Sequence, residues 1–226
     1  MATATVELTQ RAARIPIGSA TLDADISIPA RPHGVIVFAH GSGSSRHSPR
    51  NQSIADVLNC RGMATVLTDL LTEEEEHIDT MTRELRFDIR LLAQRLTAIV
   101  DWTAREHDVG RLPIGLFGAS TGAAAALETA ARRPAEIHAV VSRGGRPDLA
   151  NSLDLVRAPV LLIVGSADSA VLDLNRQVLH HLHSIRTLEI VPGATHLFEE
   201  PGALEQVAQL ARDWFSRYVC GEKEEW

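Results

Sequence analysis

Five residues limit the folds open to this chain more than any others: Gly118-Ala119-Ser120-Thr121-Gly122, set between the apolar run 114–117 and the helix former Ala123-Ala124-Ala125-Ala126. A serine in a sharp strand-to-helix turn holds strained backbone angles, and the residues two before and two after it must lack bulk where strand and helix nearly touch. Glycine at both places meets that need. Chance alone would produce only about 0.06 such patterns in a chain of this composition, and the flanking strand and helix remove most accidental matches. Ser120 therefore stands at a helix amino terminus, where free N–H groups favour developing negative charge, and is the expected nucleophile.

Short apolar runs at 34–39, 64–69, 114–117, 138–141, 159–164 and 187–191 alternate with segments of helical period. That is the pattern of an α/β fold, a mostly parallel sheet with helices on both faces. Residues 20–28 alternate apolar and polar and read as a leading antiparallel edge strand. Leu85, Ile89, Leu92, Leu96 and Ile99 line one face of a long helix, and Leu204, Val207, Ala211, Trp214 and Tyr218 line the last one. With 226 residues, 45% hydrophobic and 23% charged, the chain suits a single domain over 1–226, its charged end at 221–226 frayed.

The formal net charge of -7 would repel phosphate backbones and anionic lipid, so nucleic acid and membrane are not expected partners. Residues 1–15 hold no apolar core of signal-peptide length, which makes the cytoplasm the expected location. Cys60 and Cys220 form no C-x-x-C pair and read as free thiols, with Cys60 expected to be buried near a helix end. His180, His181 and His183 read as a solvated helix face, with no metal site. The short run Glu73 to Glu76 suits a helix amino terminus or a solvated loop. No cofactor is expected, and the oligomeric state is left open.

A serine hydroxyl needs a base to take its proton, and the base needs a carboxylate to orient it. After the run 159–164 comes Gly165-Ser166-Ala167-Asp168, and after 187–191 comes Pro192-Gly193-Ala194-Thr195-His196. Both turns deliver a side chain to the carboxyl edge of the sheet, so Asp168 is the expected acid and His196 the expected base. Asp173 is the fallback acid, although it falls inside the next helix. The first parallel strand runs into His40-Gly41-Ser42-Gly43-Ser44-Ser45, where the N–H of Ser42 would join that of Thr121 in an oxyanion hole. A dinucleotide-binding turn is the other reading of that loop, but its third glycine is missing. His40 is expected to pack and hydrogen-bond at the base of the loop.

The stretches FAHGSGSS, GASTGA, LLIVGSAD and GATH together resemble the small, single-domain dienelactone-hydrolase-like branch of the α/β-hydrolase family. The resemblance covers nearly the whole chain. It implies an eight-stranded, mostly parallel sheet, the chain order nucleophile, acid, histidine, and hydrolysis of carboxylic esters or lactones by Ser120, Asp168 and His196. The namesake enzymes have a cysteine at the elbow, so serine here points to a general esterase rather than to dienelactone itself. Only 16 residues separate Ser142 from Pro159, where lidded relatives insert a cap domain, so no cap domain and an open site are expected.

Four arginines follow strands at the expected catalytic edge: Arg46, Arg50, Arg143 and Arg146. Arg46 and Arg143 are candidates to bind an anionic group of a small ester or lactone; the bland reading has these arginines pair with Glu73 to Glu76 or Asp148 and fix loops. Thioesterase, amidase or acyltransferase chemistry would use the same triad, and a non-catalytic binding protein could share the fold. A haloalkane dehalogenase would carry aspartate where Ser120 stands.

Overall fold

The computed structural model describes residues 7–221; residues 222–226 of the expected tail lie outside them. Eight strands form one sheet: β1 Leu8–Ile17, β2 Ala20–Pro29, β3 Gly34–Ala39, β4 Met63–Thr68, β5 Ile114–Ala119, β6 Ile137–Arg143, β7 Val160–Gly165 and β8 Arg186–Val191. Among the described residues six α-helices accompany them: α1 Pro49–Asn59, α2 Glu73–Thr82, α3 Ile89–Thr103, α4 Thr121–Arg132, α5 Ser169–Val178 and α6 Ala203–Tyr218. The spatial order is β1-β2-β4-β3-β5-β6-β7-β8. β1 and β2 form an antiparallel hairpin, β2 runs antiparallel to β4, and the remaining neighbours are parallel. Parallel pairing puts the carboxyl ends of β3, β5, β6, β7 and β8 on one edge, the usual place for a site in an open α/β sheet.

The strand at 20–28 is not the edge strand that its alternation suggested, because β1 lies outside it. β1 escapes a reading based on hydrophobic period: its sequence is Leu-Thr-Gln-Arg-Ala-Ala-Arg-Ile-Pro-Ile, and only Ile15 is buried. By contrast β3, β4, β5 and β7 are buried at every position, as expected of strands covered on both faces. The apolar spacing from Leu85 to Ile99 predicts one continuous helix. Instead Asp88 caps α3 by accepting the Leu91 N–H at 3.0 Å, and Leu85–Phe87 form a separate 3₁₀ turn.

Two apolar layers result. One lies between the sheet and α3, α4 and α5; the other between the sheet and α1 and α6. In the second layer Phe215 of α6 packs onto bare strand backbone. A Cβ on Gly115 would lie 2.8 Å from its ring and 2.7 Å from Ile36 Cδ1.

The acidic run Glu73 to Glu76 forms the first turn of α2 behind a capping box, in which Thr72 Oγ1 accepts from Glu75 N and Glu75 accepts from Thr72 N. Cys60 is exposed rather than buried, because α1 turns Leu58 and Asn59 inward. His180, His181 and His183 lie in the turn after α5, not on a helix. Among the described residues, none of the helices is long and apolar enough to cross a membrane.

Truncating the fully buried Phe215 leaves a cavity over Gly115, so Phe215→Ala should lower stability by about 3–5 kcal/mol. Urea denaturation followed by circular dichroism checks this; a loss below about 1 kcal/mol would contradict the packing described.

Candidate active site

The elbow depends on contact between backbones. A Cβ on Gly118 would sit 2.5 Å from Ala123 Cα, and one on Gly122 would sit 2.3 Å from Ala39 O and 2.5 Å from His40 O. Atoms do not approach that closely, so only glycine fits at either position. Between them Ser120 adopts φ 50° and ψ -120°, a conformation that costs a residue with a Cβ about 1–3 kcal/mol. The surroundings hold it there: Ser120 N–H donates to Arg143 O at 3.2 Å, and Ser120 O accepts from Ala123 N at 3.1 Å and Arg146 N at 3.0 Å. Ser120 occupies the N-cap position of α4, yet its side chain makes no capping hydrogen bond. The hydroxyl is left available.

On the neighbouring loop, His40 is buried between two backbone groups. Its Nε2 accepts from Leu70 N–H at 3.0 Å, so Nδ1 carries the proton and donates to Gly41 O at 2.9 Å. In a planar trans peptide the C=O and the following N–H point in opposite directions. Fixing the Gly41 carbonyl toward the imidazole therefore turns the Ser42 N–H away from it. Ser42 Oγ in turn shares a 3.0 Å hydrogen bond with Thr121 Oγ1. The two expected oxyanion donors thus sit on residues tied hydroxyl to hydroxyl, a link that spacing along the chain gave no sign of.

Asp168 and His196 come together although 28 residues separate them: His196 Nδ1–H donates to Asp168 Oδ2 at 2.7 Å. That contact leaves Nε2 as the acceptor of a neutral imidazole. Their two loops are joined by Ser166 N to Val191 O at 2.9 Å, Ala167 N to Ala194 O at 3.0 Å and Gly193 N to Ser166 Oγ at 2.7 Å. Phe198 anchors the histidine loop from below, buried despite a φ of 56°. The fallback acid, Asp173, is an exposed residue of α5 paired with Arg176.

A cavity of about 210 Å³ opens beside the oxyanion loop. It is bounded by Gly41 to Ser45 and Thr121, floored by Leu70, Leu71 and Leu92, and closed by Glu76, Asp79, Thr80 and Arg86. None of Ser120, Asp168 and His196 lines it. Arg86 is taken up by Asp79. Burial, and after it the charge of Asp69, raises the pKa of Glu76.

Of the arginines at this edge, Arg46 is engaged by Asp69, with Asp25 at 3.5 Å and Asp23 at 4.0 Å, which fixes the loop after β3. Arg146 makes a bidentate pair with Asp148, both contacts at 2.8 Å. Arg50 reaches Glu199 at 3.4 Å. Arg143 is buried. Among the described residues, no group of three or more His, Cys, Asp or Glu is placed to hold a metal ion.

An eight-stranded sheet of this topology, with an elbow after its central strand and an acid and a histidine after later ones, defines an α/β hydrolase. The chain belongs to the dienelactone hydrolase family, whose sequence pattern matches residues 22–219. It is similar to the dienelactone hydrolase from Anabaena variabilis ATCC 29413, known from its crystal structure: 52% identity over 94% of this chain and 99% of that one, TM-score 0.92. Est1E from Butyrivibrio proteoclasticus shares the fold at 17% identity, covering 92% of this chain and 98% of that one, TM-score 0.77. Two curated proteins of Mycobacterium tuberculosis, strains CDC 1551 and H37Rv, are 53% identical over 209 residues, 92% of this chain, and are named as candidate phosphoribosyl transferases. The chain spans about half their length, 46%.

His40 gives the site a pH signature. Burial, the largest influence, holds its pKa below the ordinary value of 6.5, against the opposing pull of Gly41 O and Asp69. The unfolded chain therefore takes up a proton near pH 6.5 that the folded chain resists, and the stability tied to neutral His40 is lost as pH falls below that point. Thermal melts of wild type should fall more between pH 7.5 and 5.5 than those of His40→Gln, whose amide still accepts from Leu70 N–H. Parallel curves would contradict this.

Proposed function

We propose that the chain is a serine hydrolase that cleaves carboxylic esters or lactones of small substrates through an acyl-enzyme on Ser120. The observation that supports this best is the pairing of His196 with Asp168 at 2.7 Å on the edge where Ser120 holds an uncommitted hydroxyl in a strained turn. In this reading His196 Nε2 takes the Ser120 proton as Oγ attacks the carbonyl carbon. The N–H groups of Ser42 and Thr121 receive the negative oxygen of the tetrahedral intermediate. Collapse breaks the bond to the leaving alcohol, which departs with the proton from His196. A water deprotonated by His196 then hydrolyses the acyl-Ser120 ester and restores the hydroxyl.

The 210 Å³ cavity beside Ser42 and Thr121 suits one small group of the substrate rather than a long chain. An open site exposes the acyl-enzyme to water, which favours hydrolysis over transfer to a second acceptor. Thioester or amide cleavage would use the same intermediate. Transfer of a phosphoribosyl group is suggested only by the name of the longer relatives, and nothing about Ser120, Asp168 and His196 favours it.

A panel of p-nitrophenyl esters, lactones and thioesters tests the proposal. Ser120→Ala should lower kcat by about four to six orders of magnitude with folding intact, by analogy with deletions of other triads. Activity retained in that variant would remove Ser120 as nucleophile.

A further inference from the structure

The cavity beside the oxyanion loop holds one charge that none of its other walls cancels. Four of the side chains lining it can carry charge: His40, Glu76, Asp79 and Arg86. Both ring nitrogens of His40 are taken, by Leu70 N–H and Gly41 O, and burial favours its neutral form. Asp79 and Arg86 neutralise each other. Arg86 Nε donates to Asp79 Oδ2 at 2.5 Å and Nη2 to Asp79 O at 3.0 Å, while Asp79 Oδ1 accepts from Arg86 N at 3.1 Å. Glu76 remains. The two cations whose charge reaches it, Arg46 and Arg86, are each held by another carboxylate, Asp69 and Asp79.

Arg46 also faces Asp23 and Asp25 besides Asp69, so carboxylates outnumber cations behind the cavity as well. Burial, and after it Asp69, lift the pKa of Glu76 above the ordinary 4.5; Asp79 adds to them, and Arg46 and Arg86 pull the other way. A cation brought beside such a carboxylate stabilises its charged form, whereas an anion would oppose it. The floor has a different character, being made of the buried leucines Leu70, Leu71 and Leu92. A hard metal ion needs a shell of oxygen ligands, which leucines do not supply. An organic cation clad in methyl or methylene groups suits both parts at once, its alkyl surface on the floor and its charge toward Glu76. The cavity's 210 Å³ is several times the volume of about 30 Å³ that one water occupies in the liquid, enough for a short arm that ends in an ammonium group.

We propose that this cavity is a cation subsite, in which Glu76 receives an ammonium group carried on a short arm of the substrate and Leu70, Leu71 and Leu92 take the arm's alkyl surface. The position suits that role, because Gly41, Ser42 and Thr121 line the same cavity and a Cβ on Gly41 would lie 2.9 Å from Ser120 Cβ. This deepens the hydrolase reading and rests on it only in taking the arm to be part of an ester.

Two pairs of esters, alike in shape and different in one charge, test the subsite from either side of the scissile bond. On the acyl side the pair is p-nitrophenyl 4-(trimethylammonio)butyrate and p-nitrophenyl 5,5-dimethylhexanoate; on the alcohol side it is acetylcholine and 3,3-dimethylbutyl acetate. In at least one pair kcat/KM of wild type should favour the cation, and the ratio should fall about 3-fold to 10-fold in Glu76→Gln, the worth of one half-buried ion pair. The pair affected tells which part of the ester enters the cavity. A quaternary ammonium does not titrate and His196 serves both esters, so the ratio follows the cavity's own groups. It should rise in wild type as pH climbs from about 5 to about 8 and Glu76 gives up its proton, a rise that Glu76→Gln abolishes. Binding is read without turnover from thermal denaturation of the full chain in tetramethylammonium chloride against sodium chloride at equal ionic strength, where the Tm of wild type should gain over that of Glu76→Gln. No preference for the cation in either pair, a preference that Glu76→Gln keeps, or the same tetramethylammonium effect on both proteins would overturn the proposal. A Glu76-dependent Tm shift in a protein that cleaves none of the four esters would keep the cation subsite and reject the hydrolase reading.

Discussion

Contact between the backbone of α4 and the chain leaving β3 is the constraint on which the candidate active site depends. With no side chain at 118 or 122, the helix can start directly against the strand, and the turn between them has no unstrained path. The energy of that turn comes from the rest of the sheet. β6 supplies the acceptor for the Ser120 N–H, the loop after β6 supplies a donor to its carbonyl, and four buried alanines let α4 lie flat on the strands. The same nearness brings Thr121 against Ser42, so the proposed nucleophile and the expected oxyanion donors are consequences of one packing event rather than three separate arrangements.

Charge is distributed unevenly about this centre. Carboxylates gather on the side of α2, where Glu75 takes Arg95 and Asp79 takes Arg86, whereas Arg143 at the end of β6 is buried with its Nε and Nη1 unpartnered. The net charge of -7, read alone, suggests a protein that repels anions; the local arrangement around Arg143 runs against that average, because burial isolates a field that solvent would otherwise screen.

Much of the fold could be read directly. Strands buried on both faces are continuous apolar runs, and every one of these was recognisable. The positions of Asp168 and His196 followed from turns that end parallel strands. β1 was not legible, because a strand exposed on its outer edge needs no hydrophobic period; its evidence is the hydrogen-bond ladder to β2. The break between Leu85 and Ile89 was hidden as well, since a 3₁₀ turn followed by a helix keeps nearly the same spacing of apolar residues. Burial of Cys60 was expected from its place at a helix end, but which side of the last turn faces the sheet is decided by Leu58. At the site, the roles of His40 and Arg46 depend on Leu70 N–H and on Asp69, partners 30 and 23 residues away. No local pattern announces such pairs.

The hydroxyl bridge between Ser42 and Thr121 has a consequence for how the site can vary. Each hydroxyl keeps its neighbour's loop in place while contributing only its backbone to the proposed chemistry. Replacing either one alone removes the 3.0 Å link, leaving Ser42 Oγ with only its 3.4 Å contact to Arg86 O when Thr121 is the one replaced, and loosens the tie between the two loops. Substitutions at these two positions are coupled, and a lineage that lost one hydroxyl would be expected to change the other in step, so the pair behaves as a single inherited character spread over two distant points of the gene.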